Sequence, residues 1–290
     1  MTAPDPEQAP VVARPASTLV LLREGSGGAP EVLLGQRGGG AAFMPSKVVF
    51  PGGALDPEDA ALAQALLEHA SDAHPIDARL ASALEADRDT GAPLPNTPEG
   101  PALTLTLALA AIRETYEETG LRIGRAGGAS GLPPAAAEAI VAAMEPLGGS
   151  WAAFAADGAV PTPHALGFFF RAITPPYIPR RFDARFFAAH AADVIDDPED
   201  FSGASGELSP LHWTPLSEAS GYDLPFVTHL VIAEAQAMAV RCECAPAQAA
   251  DGERSPLAGL AAMARGRPAP FFRHSAGAGD PEVRSRFEAL

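Results

Sequence analysis

Three glutamates carry the strongest chemical signal in the sequence: Glu114, Glu117 and Glu118, within ALAAIRETYEETGLRIG. At about 100° per residue they fall within one arc of roughly 100° on a helix, while Leu105, Leu109, Ile112 and Tyr116 gather on the opposite side. Two readings compete. An acidic helix face can simply be solvated. Here, however, Glu114 and Glu118 repel at i,i+4 by about 0.2–0.5 kcal/mol, with no lysine placed to relieve them. The acids also sit toward the helix C-terminus, where the macrodipole disfavours negative charge. A bound cation accounts for such a placement. Carboxylate oxygens are hard donors, so Mg²⁺ or Mn²⁺ is expected rather than zinc.

A second chemical stretch lies well upstream. FPGGALDPED, Phe50 to Asp59, combines a glycine pair with following acids, as a loop bringing bare backbone near a charged group would. Between the two stretches runs a segment, residues 56–102, that reads as an insertion with two Ala/Leu-rich helical pieces, near 58–70 and 76–88, and a Pro/Gly-rich loop. Such helices need an apolar partner, on the flank of the domain or on a second copy in a homodimer.

Taken together, the two stretches resemble the Nudix signature. That motif is a glycine, five residues, a glutamate, seven residues, then R-E-U-x-E-E-x-G-U, with U bulky and apolar. Arg113-Glu114-Thr115-Tyr116-Glu117-Glu118-Thr119-Gly120-Leu121 matches its second half, except that Thr115 is less apolar than usual. FPGG supplies the first half, displaced by the insertion. The expected first glutamate is missing: Leu105 stands at its place in an uninterrupted motif, and Glu58 or Asp59 is left to substitute for it. A motif divided at this point resembles a subgroup that includes the peroxisomal coenzyme A diphosphatases. LLGQRGGGAAFMPSKVVFPGG before the division, and RRFDARFF and ELSPLHWTPLSEA after it, extend the likeness over roughly residues 16–240.

The resemblance implies a Mg²⁺- or Mn²⁺-dependent hydrolase cleaving a diphosphate linked to another moiety by water attack on phosphorus. Coenzyme A or an acyl derivative is the leading substrate; NADH, dinucleotides and nucleotide sugars, or a non-catalytic binding module, are the alternatives. Glu114, Glu117 and Glu118, with the Gly52 carbonyl, would hold the metal. Glu114 and Glu207 are both candidate general bases. Gly53, Arg113 and Gly120 are structural within the motif, with Arg113 orienting a glutamate by a salt bridge. Arg37, Arg180, Arg181 and Arg185 are candidate phosphate contacts, because guanidinium forks match phosphate oxygens. Phe43, Phe182 and Trp213 could stack on a base or serve in the core.

Positioning these groups requires a mixed α/β domain: a Nudix-type α/β/α sandwich over residues 15–240, with a loose tail at 1–14 and an irregular extension at 241–290. STLVLLRE and EVLLGQR read as a hairpin across Gly25–Ala29, SKVVF as a strand before a Pro51-Gly52-Gly53 turn, and GFFFRAIT and ARFFAAHA as central strands. A helix is expected from Thr104 to Thr119, ended by Gly120, and irregular helical structure over 133–156. LHWTP reads as a shorter strand, Ser217 as the N-cap of a helix, and VTHLVIAEAQAMAV as a long buried helix.

Composition narrows the class further. The formal charge is −16, which argues against nucleic acid as a partner and leaves a small phosphorylated nucleotide-type substrate screened by metal. Cys242 and Cys244 form a C-x-C pair that builds neither a disulfide framework nor a paired C-x-x-C zinc site. With no apolar run of membrane-spanning length and no signal-peptide pattern, a cytoplasmic protein without a membrane partner is expected. No G-x-S-x-G, Walker or H-E-x-x-H pattern competes for the chemistry.

Overall fold

The computed structural model describes residues 11–70, 100–126, 132–175, 178–244, 257, 270–275 and 284–289. Its centre is β1 (Arg14–Glu24), whose apolar residues point alternately to both sides. Leu19 and Leu21 enter one core, and Val20 and Leu22 the other. A strand buried on both faces must be internal. β1 accordingly runs antiparallel to β2 (Pro30–Arg37) and parallel to β8 (Phe182–His190).

The mixed sheet has nine strands among the described residues. β7 (Gly167–Ile173) pairs with the far side of β8, and β9 (Leu208–Pro215) with the outer edge of β2. One face is covered by α1 (Pro57–Ala70), α2 (Gly100–Thr119), α3 (Pro134–Met144) and α4 (Gly149–Phe154). The other is covered by α5 (Phe226–Cys244), through Val231, Ile232, Ala235, Met238 and Ala239. This is a three-layer α/β/α sandwich, as expected. A small separate ribbon joins β5 (Gly124–Ala126) to β6 (Ala159–Pro161). Among the described residues no helix is long and apolar enough to cross a membrane.

β1 and β2 pair closely only near the hairpin, from Leu22↔Val32 to Glu24↔Pro30, and then separate. The chain from Val48 to Ala54 fills the fork between them. β3 (Val48–Val49) pairs with β2, and β4 (Gly52–Ala54) pairs with β1 at Thr18↔Gly52, Ser17↔Gly53 and Ala16↔Ala54. Phe50, between the two, is buried and packs edge-on against Phe186. The Pro51-Gly52-Gly53 stretch, expected as a turn, is therefore the entry to a sheet strand. A Cβ on Gly52 would lie 2.5 Å from the Ser17 carbonyl oxygen and 2.7 Å from Thr18 Cα, so only glycine fits there.

Other differences are local. No helix begins at Ser217; a short 3-10 turn over Ala219–Gly221 leads instead to α5, which continues through Cys244 past the expected domain end. The described part of the C-terminal extension is not irregular. β10 (Pro270–Ser275) adds to the sheet parallel to β7, and β11 (Arg284–Ala289) pairs with β10. The physical reason is Phe272, which is buried in the α5-side core. Within the insertion, α1 finds its apolar partner in the same chain, through Leu62, Ala63 and Leu66. The helical piece expected near 76–88, the first ten residues of the N-terminal tail, and the Cys242 and Cys244 side chains lie outside the described residues.

Candidate active site

α2 has two halves of different character. From Leu105 to Ile112 it is buried almost all round, and Leu105, at the place of the missing glutamate, is core. From Arg113 onward one side turns polar. Thr115 is fully buried, and its hydroxyl donates to the Ala111 carbonyl at 2.7 Å, which satisfies a polar group where an apolar one is usual. Tyr116 packs edge-on against Phe154. Gly120, at φ +82°, ends the helix, with its N–H donating to the Tyr116 carbonyl at 2.8 Å.

The two stretches of the divided motif meet here. Gly52 N–H donates to Glu118 Oε2 at 2.8 Å. Gly53 lies so near Glu114 that an added Cβ would be 2.4 Å from its carboxylate carbon. Arg113 ties the halves together, reaching Asp59 through Nε (2.9 Å) and Nη2 (3.0 Å) and the Ala54 carbonyl through Nη2 (2.9 Å).

Asp59 is fully buried near the start of α1. Its Oδ1 accepts from Arg113 Nε and from the Trp151 indole N–H at 3.1 Å; its Oδ2 accepts from Arg113 Nη2 and from Asp56 N–H at 2.9 Å. All four lone-pair directions of the carboxylate are thus occupied by protein donors. Asp59 is engaged structurally and is not positioned as a cation ligand. Glu58, the other substitute weighed from the sequence, is exposed.

The three helix acids have different surroundings. Glu114 Oε1 and Glu117 Oε2 both accept from Arg113 Nη1, at 3.0 and 3.1 Å, and Glu117 Oε1 accepts from the Ser150 hydroxyl at 2.5 Å. Burial pushes the Glu114 carboxyl up to about 7; Arg113 opposes this and Glu117 adds to it. Burial likewise raises Glu118 to about 8, against the Gly52 N–H and with the help of Glu114. Burial acts to lower the pKa of Arg113, but its bonds to Asp59 outweigh that and hold the guanidinium charged.

Among the candidate arginines, Arg37 contacts the acidic cluster. Its Nη2 lies 3.9 Å from Glu118 Oε1 and its Nη1 3.3 Å from Glu207 Oε1. Glu207 is exposed in a loop that is fixed to α2, because Ser205 N–H donates to the Glu117 carbonyl at 2.9 Å. Arg180 is exposed. Arg181 is bonded to the carbonyls of Thr174 and Val11. Arg185 is buried, with Nη1 2.8 Å from Asp183 Oδ2, in an ion cluster that also holds Arg171. Neither Arg181 nor Arg185 stands as an open fork. Phe43 and Phe182 pack on each other at 5.3 Å, and Trp213 carries the Arg23 guanidinium over its ring at 4.3 Å.

Hard oxygen donors on one helix turn, two of them buried enough to resist ionisation, suit a divalent cation chemically. No three His, Cys, Asp or Glu side chains among the described residues already converge on one point as a cation cage. Glu117 and Glu118 are turned onto Ser150, Arg113 and the Gly52 N–H, so binding a cation requires those carboxylates to rotate or to share their remaining lone pairs. Ser150 and Trp151 were missed from the sequence. An indole N–H in a buried Trp needs an acceptor, but nothing in GGSWAAF names Asp59 as that acceptor.

No protein-family model and no curated protein matches the chain. Among solved structures, it is similar to a NUDIX hydrolase from Alicyclobacillus acidocaldarius, at 28% identity over 76% of this chain and 90% of that one, with a TM-score of 0.49. It is also similar to the NUDIX domain of Shewanella oneidensis NrtR complexed with ADP ribose, at 13% identity over 80% of this chain and 92% of that one, with a TM-score of 0.39. An Ap4A hydrolase from C. elegans is similar at 14% identity, over 78% of this chain and 98% of that one, with a TM-score of 0.35.

Proposed function

We propose that this protein is a Nudix-type, metal-dependent hydrolase that cleaves the diphosphate of a nucleoside-diphosphate-linked compound, with coenzyme A or an acyl derivative as the substrate. The observation that carries this reading is the closure of the divided motif. Gly52 N–H lies 2.8 Å from Glu118 Oε2, although 65 residues separate the two in sequence. Glu114, Glu117 and Glu118, with the Gly52 carbonyl, would hold Mg²⁺ or Mn²⁺. Bound there, the cation supplies polarisation of phosphoryl oxygens and a lowered pKa for a coordinated water.

The chain's own groups have separable tasks. Arg113, fixed by Asp59, orients Glu114 and Glu117. Arg37 pairs with Glu118 and Glu207 and offers a cation beside them where an incoming phosphate can compete for its fork. Glu114 and Glu207 are the two groups able to take a proton from the attacking water. Glu114 is the less exposed of the two, and Glu207 stands in the loop before β9.

The test is a panel of diphosphates with Mg²⁺, with products identified by mass. Coenzyme A should give 4′-phosphopantetheine and adenosine 3′,5′-bisphosphate. If an arginine reads the 3′-phosphate, the 3′-dephospho compound should be poorer by roughly 10- to 150-fold, the worth of a charge-assisted contact of about 1.5–3 kcal/mol. Arg37→Ala or Arg180→Ala should abolish that preference. Preference for NADH, a dinucleotide or a nucleotide sugar rejects the coenzyme A assignment and keeps the enzyme class. No turnover of any member rejects the class and leaves a binding module.

A further inference from the structure

We infer that Ser150, which lies outside the motif on α4, is a positioning residue for Glu117 and sets the affinity of the site for a divalent cation. This rests on the proposal that Glu117 is a cation ligand. Glu117 is the most exposed of the three helix acids, its side chain retaining 33% of its accessible surface. A long exposed carboxylate loses rotamer freedom when it is fixed, at a cost that a ligand must otherwise meet on binding. Here both of its oxygens are held: Oε2 by Arg113 Nη1 at 3.1 Å, and Oε1 by the Ser150 hydroxyl at 2.5 Å. Each carboxylate oxygen has two lone pairs, so a carboxylate oriented in this way can still accept a cation.

The hydroxyl itself is held from a firm base. The next residue, Trp151, is buried, packs on Phe154 and donates to Asp59 at 3.1 Å. Two adjacent residues of α4 thus contact the two halves of the divided motif, one reaching Glu117 and the other Asp59. Trp151 fixes where α4 sits, and Ser150 transmits that position to a single carboxylate.

The experiment is direct binding of Mn²⁺, followed by electron paramagnetic resonance, to wild type, Ser150→Ala, Ser150→Thr, Glu117→Gln and the Ser150→Ala/Glu117→Gln double variant. Loss of an outer partner of a ligand costs roughly 10- to 100-fold in metal affinity. Ser150→Ala should weaken Mn²⁺ binding about tenfold at an unchanged melting temperature, and Ser150→Thr, which keeps the hydroxyl, should restore it. In the double variant, removal of the hydroxyl should add nothing to the loss caused by Glu117→Gln. Wild-type affinity in Ser150→Ala, or full additivity in the double variant, overturns the assignment of Ser150 while leaving the metal site standing. Absence of Mn²⁺ binding by the wild-type chain overturns both.

Discussion

The indole N–H of Trp151 donates to Oδ1 of Asp59 at 3.1 Å, the same oxygen that Arg113 Nε reaches at 2.9 Å. The aspartate at this point therefore belongs to the framework beneath the acidic helix. Asp59→Ala should leave the buried Arg113 guanidinium facing an empty place, and breaking a buried pair in this way costs about 3–5 kcal/mol. Denaturant titration should show the loss. A variant within about 1 kcal/mol of wild type would mean that Glu114 and Glu117 suffice to hold Arg113.

Gly52 and Gly53 separate fold from site. Alanine at 52 meets backbone atoms of Ser17 and Thr18 at 2.5 and 2.7 Å, which cannot move without opening the fork in the sheet. Gly52→Ala should reduce the melting temperature sharply. The nearest atoms to an alanine Cβ at 53 are those of the flexible end of Glu114, at 2.4 Å. Gly53→Ala should fold with little loss of stability and lose most of its turnover, because Glu114 is pushed aside. Equal melting behaviour in the two variants contradicts this division.

Glu118→Gln keeps an acceptor for the Gly52 N–H and removes a buried carboxyl whose pKa burial has raised to about 8. The metal-free variant should be at least as stable as wild type. Turnover should fall by roughly 100-fold or more, beyond the loss caused by removing a mere outer partner of a ligand. Stability is read by thermal melting without added metal, and turnover by product formation in excess Mg²⁺. Retained turnover removes Glu118 from the site.

The acid limb of stability has a separate origin. Burial would raise the Asp183 carboxyl, but the Arg185 and Arg171 charges outweigh it and hold its pKa below the usual carboxylate range. A depressed pKa in the folded state contributes stability that is complete above the unfolded value of about 3.9 and is lost as pH falls through the folded value. Asp183→Asn should therefore be markedly less stable than wild type at pH 7, with the difference shrinking below about pH 4. Chemical denaturation at pH 3, 4, 5 and 7 measures it, and a difference independent of pH assigns the effect to hydrogen bonding alone.

Periodicity was enough to recover the parts of the fold that rest on burial. The apolar strand from Ser17 to Glu24, the amphipathic helix ending at Gly120 and the apolar helix after Phe226 all follow from which side chains must leave water. The strand at Gly52–Ala54 did not, because Pro-Gly-Gly has turn chemistry and becomes a strand only where β1 and β2 diverge. Nor did β10, whose short Phe271–Phe272 pair has meaning only beside β7. In the site, the three glutamates could be named from spacing, and Arg113 from the resemblance to the Nudix signature. The choice between Glu58 and Asp59 could not, since it depends on which carboxylate turns inward toward Trp151. Arg185 shows the converse failure: a cationic residue in a promising place proves to be a buried partner of Asp183.

Closure of the divided motif by hydrogen bonds has an evolutionary consequence. The acids and glycines are held in register by Gly52–Glu118 and Asp59–Arg113 contacts, without any help from chain continuity between Ala70 and Gly100. Each doubling of such a connection adds only about 0.6 kcal/mol of closure entropy. Descendants of this gene can lengthen, shorten or replace that stretch while the contacts that join the two halves of the motif are inherited unchanged.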